Sequence, residues 1–302
     1  MANRDTKTAP AGLILLHKRP GLTSFDSLKA VKRALETGKA GHTGTLDKFA
    51  EGLLLVLTGK ALKLSQWFTH CDKQYEGTIR FGVETDTLDP EGAEVARAPL
   101  PSRQEVEEAL GLFRGKIGQA PPAYSAIHIG GERASVLARR GEAPEMKKRP
   151  VEVYRLELRS WDPPLAGVFV HCSGGTYIRS LARDIALAAG SRAHLAGLLR
   201  TRVARFGLED AVSPEAGVVP RPVDRAVFDA LGLPCLEADP EAARGIAGGR
   251  PLRESLDTPT LNRISGDGAN AVAVFSGDRL LAVVERPGKG EPWKYGYVYA
   301  RD

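Results

Sequence analysis

Cysteine is scarce in this chain of 302 residues, which contains only Cys71, Cys172 and Cys235. Three cysteines without a Cys-x-x-Cys pair do not make a disulfide framework, and they indicate a reducing compartment. No run approaches the roughly 18 consecutive apolar residues of a membrane span. The polar N-terminus, MANRDTKTAP, lacks the apolar segment of a signal peptide. We therefore expect a cytoplasmic protein that does not contact a membrane.

Signatures of cofactors and metals are missing as well. The chain has no Gly-x-Gly-x-x-Gly motif, and the glycines upstream of Lys60 stand too far apart for a phosphate-binding loop. Residues 86–92 have apolar side chains where a calcium loop needs oxygen ligands. The six histidines include no His-x-x-x-His pair. If the chain is an enzyme, we expect it to use its own side chains, with no metal and no cofactor.

Positive charge is only in modest excess, but it is segregated along the chain. The net charge is +5, and residues 1–60 carry ten Lys or Arg against five acids. Residues 84–108 carry eight acids against two Arg, whereas residues 192–205 contain four Arg and no acid. A surface that binds an anionic polymer needs such segregation, although ordinary solvated faces produce it too. Charge alone therefore leaves nucleic-acid binding open.

The periodicity of apolar residues predicts a mixed α+β fold. The run 53–57 fits either a buried strand or a helical turn. The predicted helices begin at Thr23 or Ser24, at the capping box formed by Ser102 and Glu105, and near residue 178. Residues 13–16 are a short apolar run, and the predicted strands are residues 75–83, 151–159, 167–172, 271–275 and 280–285, of which the last two form a hairpin.

Four prolines in residues 213–235 mark a predicted domain boundary. Upstream of it, residues 1–11 are expected to be a mobile polar arm and residues 12–235 to be the main domain. Within that domain, residues 115–150 are rich in Gly, Pro and basic residues, which predicts a long and partly irregular insertion. Downstream of the boundary, residues 236–302 are predicted to be a small β-rich unit.

Two stretches contain the best candidates for chemistry. In Gly41-His-Thr-Gly-Thr-Leu-Asp47, two glycines allow a ligand to approach the backbone closely, and Asp47 places a carboxylate on a loop. An N-cap of a following helix would also explain Asp47. Tyr177 and Arg179 begin a predicted helix, where a core aromatic and a solvated arginine would give the same pattern. Tyr75, on a predicted strand, is by default a half-buried aromatic residue.

Together with several others, these stretches resemble the TruB-type tRNA pseudouridine-55 synthases. The resemblance covers about residues 12–212 closely, and the tail resembles a PUA-like RNA-binding module more weakly. A seven-residue match with ordered companions is much more specific than any single motif. The companions, in the family's order, are Lys18-Arg-Pro-Gly-Leu-Thr-Ser24, Gly52-Leu53, Thr58-Gly-Lys-Ala61, Lys73-Gln-Tyr75, Gly82-Val-Glu-Thr-Asp-Thr-Leu-Asp89, Phe113-Arg-Gly115, Pro121-Pro-Ala-Tyr-Ser-Ala126, His171-Cys-Ser173, Gly175-Thr-Tyr-Ile-Arg179 and Leu198-Leu-Arg-Thr201.

The resemblance implies an isomerase that converts uridine to pseudouridine at position 55 in the T-loop of tRNA. It implies a mainly antiparallel sheet with flanking helices, and a PUA-like domain at residues 236–302. Asp47 would be the catalytic carboxylate, which attacks C1′ of the ribose or helps to remove its C2′ proton to give a glycal. The sequence leaves both routes open. Arg179 would hold Asp47 and keep it ionised, and Tyr75 would stack on the uracil and take part in proton transfer at C5.

The resemblance and the charge pattern also suggest which residues bind the RNA. The target uridine has to be flipped out of the folded RNA before it can react. We expect the T-arm of tRNA as the partner, with residues 115–150 covering the T-loop, no obligate protein partner and a monomeric protein. The expected substrate contacts are Leu198 at the floor of the pocket, His42 in the space that the base vacates, Lys18 and Tyr177 within the matching motifs, and, from charge alone, Arg200, Arg202 and Arg205.

Two alternative functions remain open on the same fold: a guide-RNA-dependent pseudouridine synthase, and a catalytically silent RNA-binding protein. Thr43 favours the stand-alone enzyme, because the guide-dependent branch tends to have serine there. The retained Asp47 argues against a silent protein, because binding alone does not need this carboxylate. The sequence departs from the family's usual pattern at Lys48, Phe49, Gly174 and Leu199.

Overall fold

A large sheet runs through the computed structural model, which describes residues 10–142, 146–214, 217–266, 268–286, 288 and 290–299. Within these residues the strands are β1 (Gly12–Lys18), β2 (Ala40–His42), β3 (Glu51–Thr58), β4 (Lys73–Phe81), β5 (Val83–Thr85), β6 (Glu94–Arg97), β7 (Gly115–Gln119), β8 (His128–Ile129), β9 (Glu132–Arg133), β10 (Arg149–Asp162), β11 (Leu165–Cys172), β12 (Ala193–Val203), β13 (Phe206–Gly207), β14 (Cys235–Glu237), β15 (Ala271–Ser276), β16 (Arg279–Glu285) and β17 (Lys294–Val298). The helices are α1 (Ser24–Ala34), α2 (Ser65–Thr69), α3 (Arg103–Gly111), α4 (Ala134–Arg139), α5 (Ile178–Ala188), α6 (Arg225–Ala230), α7 (Pro240–Gly248), α8 (Leu252–Ser255) and α9 (Thr258–Ser265).

The main sheet follows the order β1-β3-β12-β4-β11-β10-β7, with β2 added to β3 and β13 added to β12. In the described part of the chain its pairings are antiparallel, except for a short parallel pairing of β3 with β12. That parallel pairing joins residues 51–52 to residues 199–200. The predicted fold class, α+β with a mainly antiparallel sheet and flanking helices, is confirmed.

The burial pattern along each strand shows which faces of the sheet are covered. β4 alternates regularly, so Tyr75 and Phe81 face a core that β10, β11 and β12 share with α3 and α5. β3 is instead buried on both faces: Leu53 and Leu55 enter one core, and Leu54 packs beneath α1 in another. Burial on both faces explains why this run is continuously apolar, and the run 53–57 is a strand rather than a helical turn.

The C-terminal sheet, in the order β14-β15-β16-β17, is also covered on both faces. One face packs against α7 and α9. The other face, which includes Phe275 and Val283, shares a core with Leu13, Leu55 and Phe228 of the preceding domain. Phe275 and Phe228 meet edge to face, with ring centroids 5.7 Å apart. The C-terminal unit therefore has no separate core on the side that faces the main sheet.

Several local predictions are confirmed. Thr23 caps α1 and Ser102 caps α3, each through a complete capping box. The predicted hairpin joins β15 and β16. The predicted insertion at residues 115–150 contains β7, β8, β9 and α4, so it is more regular than expected, and its residues 143–145 lie outside the described residues. Residues 1–9 of the predicted arm also lie outside them.

The structure also overturns one alternative and adds detail to two predictions. β3 rather than a helix follows Asp47, so Asp47 is not an N-cap. The tail, predicted to be β-rich, also contains α7 and α9, which begin at the capping residues Asp239 and Asp257 and carry proline in the first turn. β14 crosses the boundary predicted after residue 235, because Cys235 already pairs with Ala273 of the C-terminal sheet. Among the described helices, none is long and apolar enough to cross a membrane.

Candidate active site

A cavity of about 490 Å³ opens between the loop at residues 43–50, strands β4 and β12, and the start of α5. Residues 124–126 and the segment from Arg133 to Arg139 complete its wall. The predicted site residues that line this cavity are Asp47, Tyr75, Tyr177, Arg179, Leu198 and Arg200. Lys18, His42 and Arg202 are not among the lining residues.

The loop at residues 43–50 is anchored by two polar side chains from neighbouring elements. Ser24, at the start of α1, accepts a hydrogen bond from the Leu46 amide (2.9 Å) and donates one to the Leu46 carbonyl oxygen (3.0 Å). The ammonium group of Lys18, at the end of β1, donates to the carbonyl oxygens of Ala50 (2.5 Å) and Lys48 (3.3 Å). These contacts hold the backbone on both sides of Asp47.

A close backbone approach fixes the point at which the loop enters β3. Gly52 has a φ of 120°, and a Cβ there would lie 2.3 Å from the carbonyl oxygen of Arg200 on β12. A side chain at this position would therefore separate the two parallel strands. Gly52 allows β3 and β12 to meet directly beneath the cavity.

Asp47 and Arg179 form a bidentate ion pair in the cavity. Arg179 Nε lies 2.9 Å from Asp47 Oδ2, and Arg179 Nη2 donates to Asp47 Oδ1 at 3.0 Å. The Asp47 side chain keeps 35% of its surface exposed, whereas that of Arg179 keeps 6%. The planar guanidinium fixes the plane of the carboxylate, and the exposed part of Asp47 faces the cavity.

Arg179 is itself held by a second set of oxygen atoms. Its Nη1 donates to the Thr87 carbonyl oxygen at 2.7 Å and lies 3.4 Å from a carboxylate oxygen of Asp89, while Nη2 donates to the Tyr124 carbonyl oxygen at 3.0 Å. The Asp89 carboxylate also accepts a hydrogen bond from Thr87 Oγ1 at 2.6 Å. Rotation of the guanidinium away from Asp47 would break all of these contacts.

The surroundings of Asp47 shift its acidity. Burial raises the pKa of Asp47 above its ordinary value; the Arg179 guanidinium opposes this shift, and the Asp89 carboxylate adds to it. An ionised carboxylate with a raised pKa is a stronger base than one in water. The pair can therefore hold a reactive carboxylate in a fixed orientation.

Tyr75 and Leu198 give the cavity a flat, largely apolar side. Tyr75 is 6% exposed, and burial raises the pKa of its hydroxyl to about 12, so the phenol keeps its proton. Leu198 packs against the same core as Tyr75. An aromatic ring beside an aliphatic side chain suits a planar heterocycle.

Arg200 lies beneath the loop rather than on the surface. It is 2% exposed, and it donates to the carbonyl oxygens of Leu53 (2.7 Å) and Gly44 (3.1 Å). It lies next to Tyr75, because residue 200 of β12 pairs with residue 75 of β4. The charge pattern predicted that Arg200 contacts the RNA. The buried position does not fit a contact with phosphates, because a buried guanidinium does not meet an RNA backbone at the surface.

Two buried lysines lie near Arg200. Lys73 lines the cavity at 7% exposure, and Lys18 is fully buried under the loop. Burial lowers the pKa of each to about 8, and the charge of Arg200 adds to this shift. The position of Lys18, bonded to loop carbonyl oxygens, indicates an anchor for the loop rather than the substrate contact predicted for it.

Tyr177 and His42 occupy the borders of the site. Tyr177 precedes α5 and lines the cavity, and Gln119 binds both its amide (2.8 Å) and its carbonyl oxygen (3.1 Å). His42 ends β2, half-buried, and its Nδ1 has no hydrogen-bond partner in the described residues. Burial lowers the pKa of His42, which favours the neutral ring. The roles predicted for these two residues stay predictions.

Arg202 and Arg205 lie away from the cavity. Arg202 is exposed and donates to Glu209 at 3.0 Å, and Arg205 donates to the Asp229 carbonyl oxygen at 3.2 Å. Both line a separate shallow groove beside residues 230–232. Their accessibility leaves the predicted contact with an RNA backbone open.

Sequence reasoning missed the support that surrounds Arg179 and the deep position of Lys73. The residues concerned lie in matching motifs, namely the run from Thr85 to Asp89 and Lys73-Gln-Tyr75, but no role was assigned to them. Asp89 was not singled out among the eight acids of residues 84–108, because a net charge does not show which carboxylate is buried. Within the described ranges, no group of three or more His, Cys, Asp or Glu could hold a metal ion.

Comparison with known proteins gives consistent results. Residues 32–178 match the family described as TruB family pseudouridylate synthase (N terminal domain). The chain is 45% identical over 203 residues to tRNA pseudouridine synthase B of Borreliella burgdorferi, covering 66% of this chain and 72% of that protein. It is 40% identical over 265 residues to the protein of the same name from Aromatoleum aromaticum, covering 85% of this chain and 86% of that protein.

Among solved structures, the fold is similar to a crystal structure of a Cbf5-Nop10-Gar1 complex. The TM-score is 0.68 at 22% sequence identity, and the match covers 99% of this chain and 90% of that one. At this identity the match supports the fold alone. It extends over the C-terminal unit as well as the main sheet.

Proposed function

Because the chain belongs to the TruB family of pseudouridylate synthases, we propose that it converts uridine to pseudouridine at position 55 in the T-loop of tRNA. The observation that carries this proposal is the bidentate pair of Asp47 and Arg179 beside Tyr75 in one cavity. The enzyme acts in the cytoplasm on tRNA alone, without a guide RNA or a protein partner. The Borreliella and Aromatoleum relatives, which are named for action on tRNA, support this choice of substrate.

The reaction begins when the target uridine leaves its stack and enters the cavity. Flipping a base out of a folded RNA costs a few kcal/mol. Stacking on Tyr75 and contact with Leu198 offset this cost, because both side chains present apolar surface to the base. His42, at the end of β2, fills the space that the base leaves in the RNA.

Asp47 then acts on the sugar. Its carboxylate either bonds to C1′ as the N1–C1′ bond breaks, or removes the C2′ proton so that a glycal forms. In both routes the electron pair of the broken bond goes to the base. The base turns and bonds to C1′ through C5; this step displaces Asp47 from C1′ in the first route, and in the second Asp47 returns the proton to C2′. C5 then loses its proton, and N1 gains one. Arg179 keeps the carboxylate ionised before it reacts and holds its orientation during both routes.

A bare tRNA transcript tests the proposal. We expect the purified protein, without added guide RNA, to form pseudouridine at position 55, detected by uridine-specific chemical mapping. A transcript with cytidine at position 55 is the matched control and should gain no pseudouridine. An isolated T-arm stem-loop should also be modified, because the cavity accepts a single flipped nucleotide. Modification at another position, or none until a guide RNA is added, would contradict the proposal.

A further inference from the structure

Two cations lie deep in the cavity without a carboxylate partner. Lys73 and Arg200 are 7% and 2% exposed, and both line the cavity beside Tyr75. In the part of the chain that the structure describes, neither forms an ion pair. Arg179, another buried cation that lines the cavity, is already paired with Asp47 and Asp89.

The partners of these two cations are neutral oxygen atoms. Lys73 Nζ donates to the carbonyl oxygens of Cys71 (2.5 Å) and Thr69 (3.1 Å), and Arg200 donates to the carbonyl oxygens of Leu53 and Gly44. Carbonyl oxygens satisfy N–H donors but do not neutralise charge. An ammonium group has three donors, so these two contacts leave one N–H of Lys73 for a further partner.

Two neighbouring buried charges of the same sign are unfavourable unless an anion compensates them. Their mutual effect is visible in Lys73: burial lowers its pKa to about 8, and the charge of Arg200 adds to the shift. The cavity above them is kept open, because Gly44 has no side chain. A Cβ at Gly44 would lie 3.7 Å from Arg200 Nη1 and 3.8 Å from Lys73 Cε.

We propose that Lys73 and Arg200 form a cationic floor that stabilises the negative charge on the uracil ring after the N1–C1′ bond breaks. This inference rests on the proposed function. Heterolysis leaves the electron pair on N1, and the charge spreads over the ring and its carbonyl oxygens. The floor holds this charge while the base turns and C5 bonds to C1′. Preorganised charges in a buried site stabilise such a developing anion much better than water does.

Position favours the base over a phosphate as the anion that is stabilised. Lys73 and Arg200 are buried and adjoin Tyr75, on which the base stacks. Arg133 and Arg139 also line the cavity and are exposed to solvent, so an RNA backbone has access to them. Phosphates therefore find cations in the accessible part of the wall, and the deep pair remains for the detached base.

The cationic floor is tested by replacing Lys73 and by measuring how the reaction rate depends on pH. The titratable groups around Lys73 are Arg200, Cys71, Cys172 and Asp72, which pairs with His171. At saturating tRNA, we expect the single-turnover rate of wild type to fall above pH of about 8, where Lys73 loses its proton. Lys73→Arg should make this alkaline fall smaller, because arginine stays charged and only Lys18, whose pKa is also about 8, still loses a proton in this range. Lys73→Met should lower the rate at neutral pH by about 30-fold or more and show the same smaller fall.

A second measurement varies the leaving base. 5-Fluorouracil is more acidic than uracil, so its anion needs less stabilisation. In a stem-loop with 5-fluorouridine at the target position, Lys73→Met should slow bond cleavage at least about fivefold less than it does with uridine. Lys63→Met, which removes an exposed lysine, is the matched control and should leave both rates unchanged.

The outcomes separate the floor from other roles. Equal slowing with both bases, together with a lower unfolding midpoint, would mean that Lys73 only supports the fold and would overturn the inference. A weaker affinity for tRNA with an unchanged saturating rate would mean that Lys73 binds a phosphate, which also overturns it. In either case wild type would still form pseudouridine, so the proposed function would stand. An inactive wild type would refute both proposals.

Discussion

The loop around Asp47 and the junction with the C-terminal sheet are held together by opposite means. Around the loop, charged groups bind backbone carbonyl oxygens and one another, as in the contacts of Lys18 and Arg179. At the junction, side chains such as Leu55, Phe228 and Phe275 pack in a continuous apolar core. Polar contacts fix orientation, whereas apolar burial supplies most of the free energy of folding.

This difference predicts that the two regions fail differently. A substitution in the loop region should remove chemistry and leave the fold largely intact. A substitution at the junction should lower the free energy of unfolding and leave the rate of the remaining folded molecules unchanged. The variants below test this separation, from the largest expected effect to the smallest.

Removal of the C-terminal unit should have the largest effect. A chain that ends at Leu233 would expose the face of the main domain that packs on Phe275 and Val283. We expect it to be insoluble or unfolded, because a large apolar surface loses its partner. The shared core thus argues that residues 236–302 do not separate from the main domain at the predicted boundary. A soluble truncated chain that modifies a T-arm stem-loop would contradict this expectation.

Arg179→Lys should have the next largest effect, and it acts on the rate alone. Lysine keeps the charge but cannot make two parallel hydrogen bonds to Asp47. We expect the single-turnover rate to fall about 100-fold or more, which corresponds to about 2.7 kcal/mol in the barrier. The midpoint of chemical unfolding should change little. A rate close to that of wild type would show that positive charge alone is enough.

Phe275→Ala should affect stability without affecting chemistry. Phe275 is fully buried and packs edge to face on Phe228. Removal of such a ring costs about 3–5 kcal/mol in the free energy of unfolding, measured by denaturant titration. Phe25→Ala is the matched control: this ring is 58% exposed, so its loss should cost about 1 kcal/mol or less. A large loss of rate in folded Phe275→Ala would break the separation between the two regions.

Arg202→Gln should have the smallest effect on the protein itself. Its pair with Glu209 is exposed, so stability should change by about 0.5 kcal/mol or less. If Arg202 contacts a phosphate, the slope of log K for tRNA against log salt should become less steep by about 0.7 to 0.9. Arg97→Gln, at another exposed pair, is the control for unspecific charge loss. An unchanged slope would show that Arg202 does not touch the RNA.

The resemblance to the family identified the loop carboxylate and its partner, but the sequence did not show how deeply the other charges are buried. The glycine-rich run ending at Asp47 and the helix start at Arg179 were visible as motifs, because their spacing is local. Arg200 was assigned to the RNA surface, because a charge count contains no information on burial. In the structure it is buried between β3 and the loop, which depends on the parallel pairing of distant strands.

The core that the C-terminal unit shares with the main domain was not visible in the sequence for a related physical reason. The turn at residues 276–279 between two apolar runs correctly predicted a hairpin, but a strand buried on both faces has the same apolar run whichever partner covers it. The main domain covers the second face of these strands, and the local sequence does not show this. The helices α7 and α9 were visible in principle, since Asp239 and Asp257 each precede a proline-containing first turn.

The central claim is that the Asp47 carboxylate carries the chemistry while the surrounding contacts only hold it. Asp47→Asn keeps the shape of the side chain and removes its charge, and Asp278→Asn is an exposed control. We predict that Asp47→Asn lowers the single-turnover rate on a T-arm stem-loop by about 1,000-fold or more, with RNA affinity and unfolding midpoint close to wild type. A rate within about tenfold of wild type, equal to about 1.4 kcal/mol in the barrier, would contradict the account.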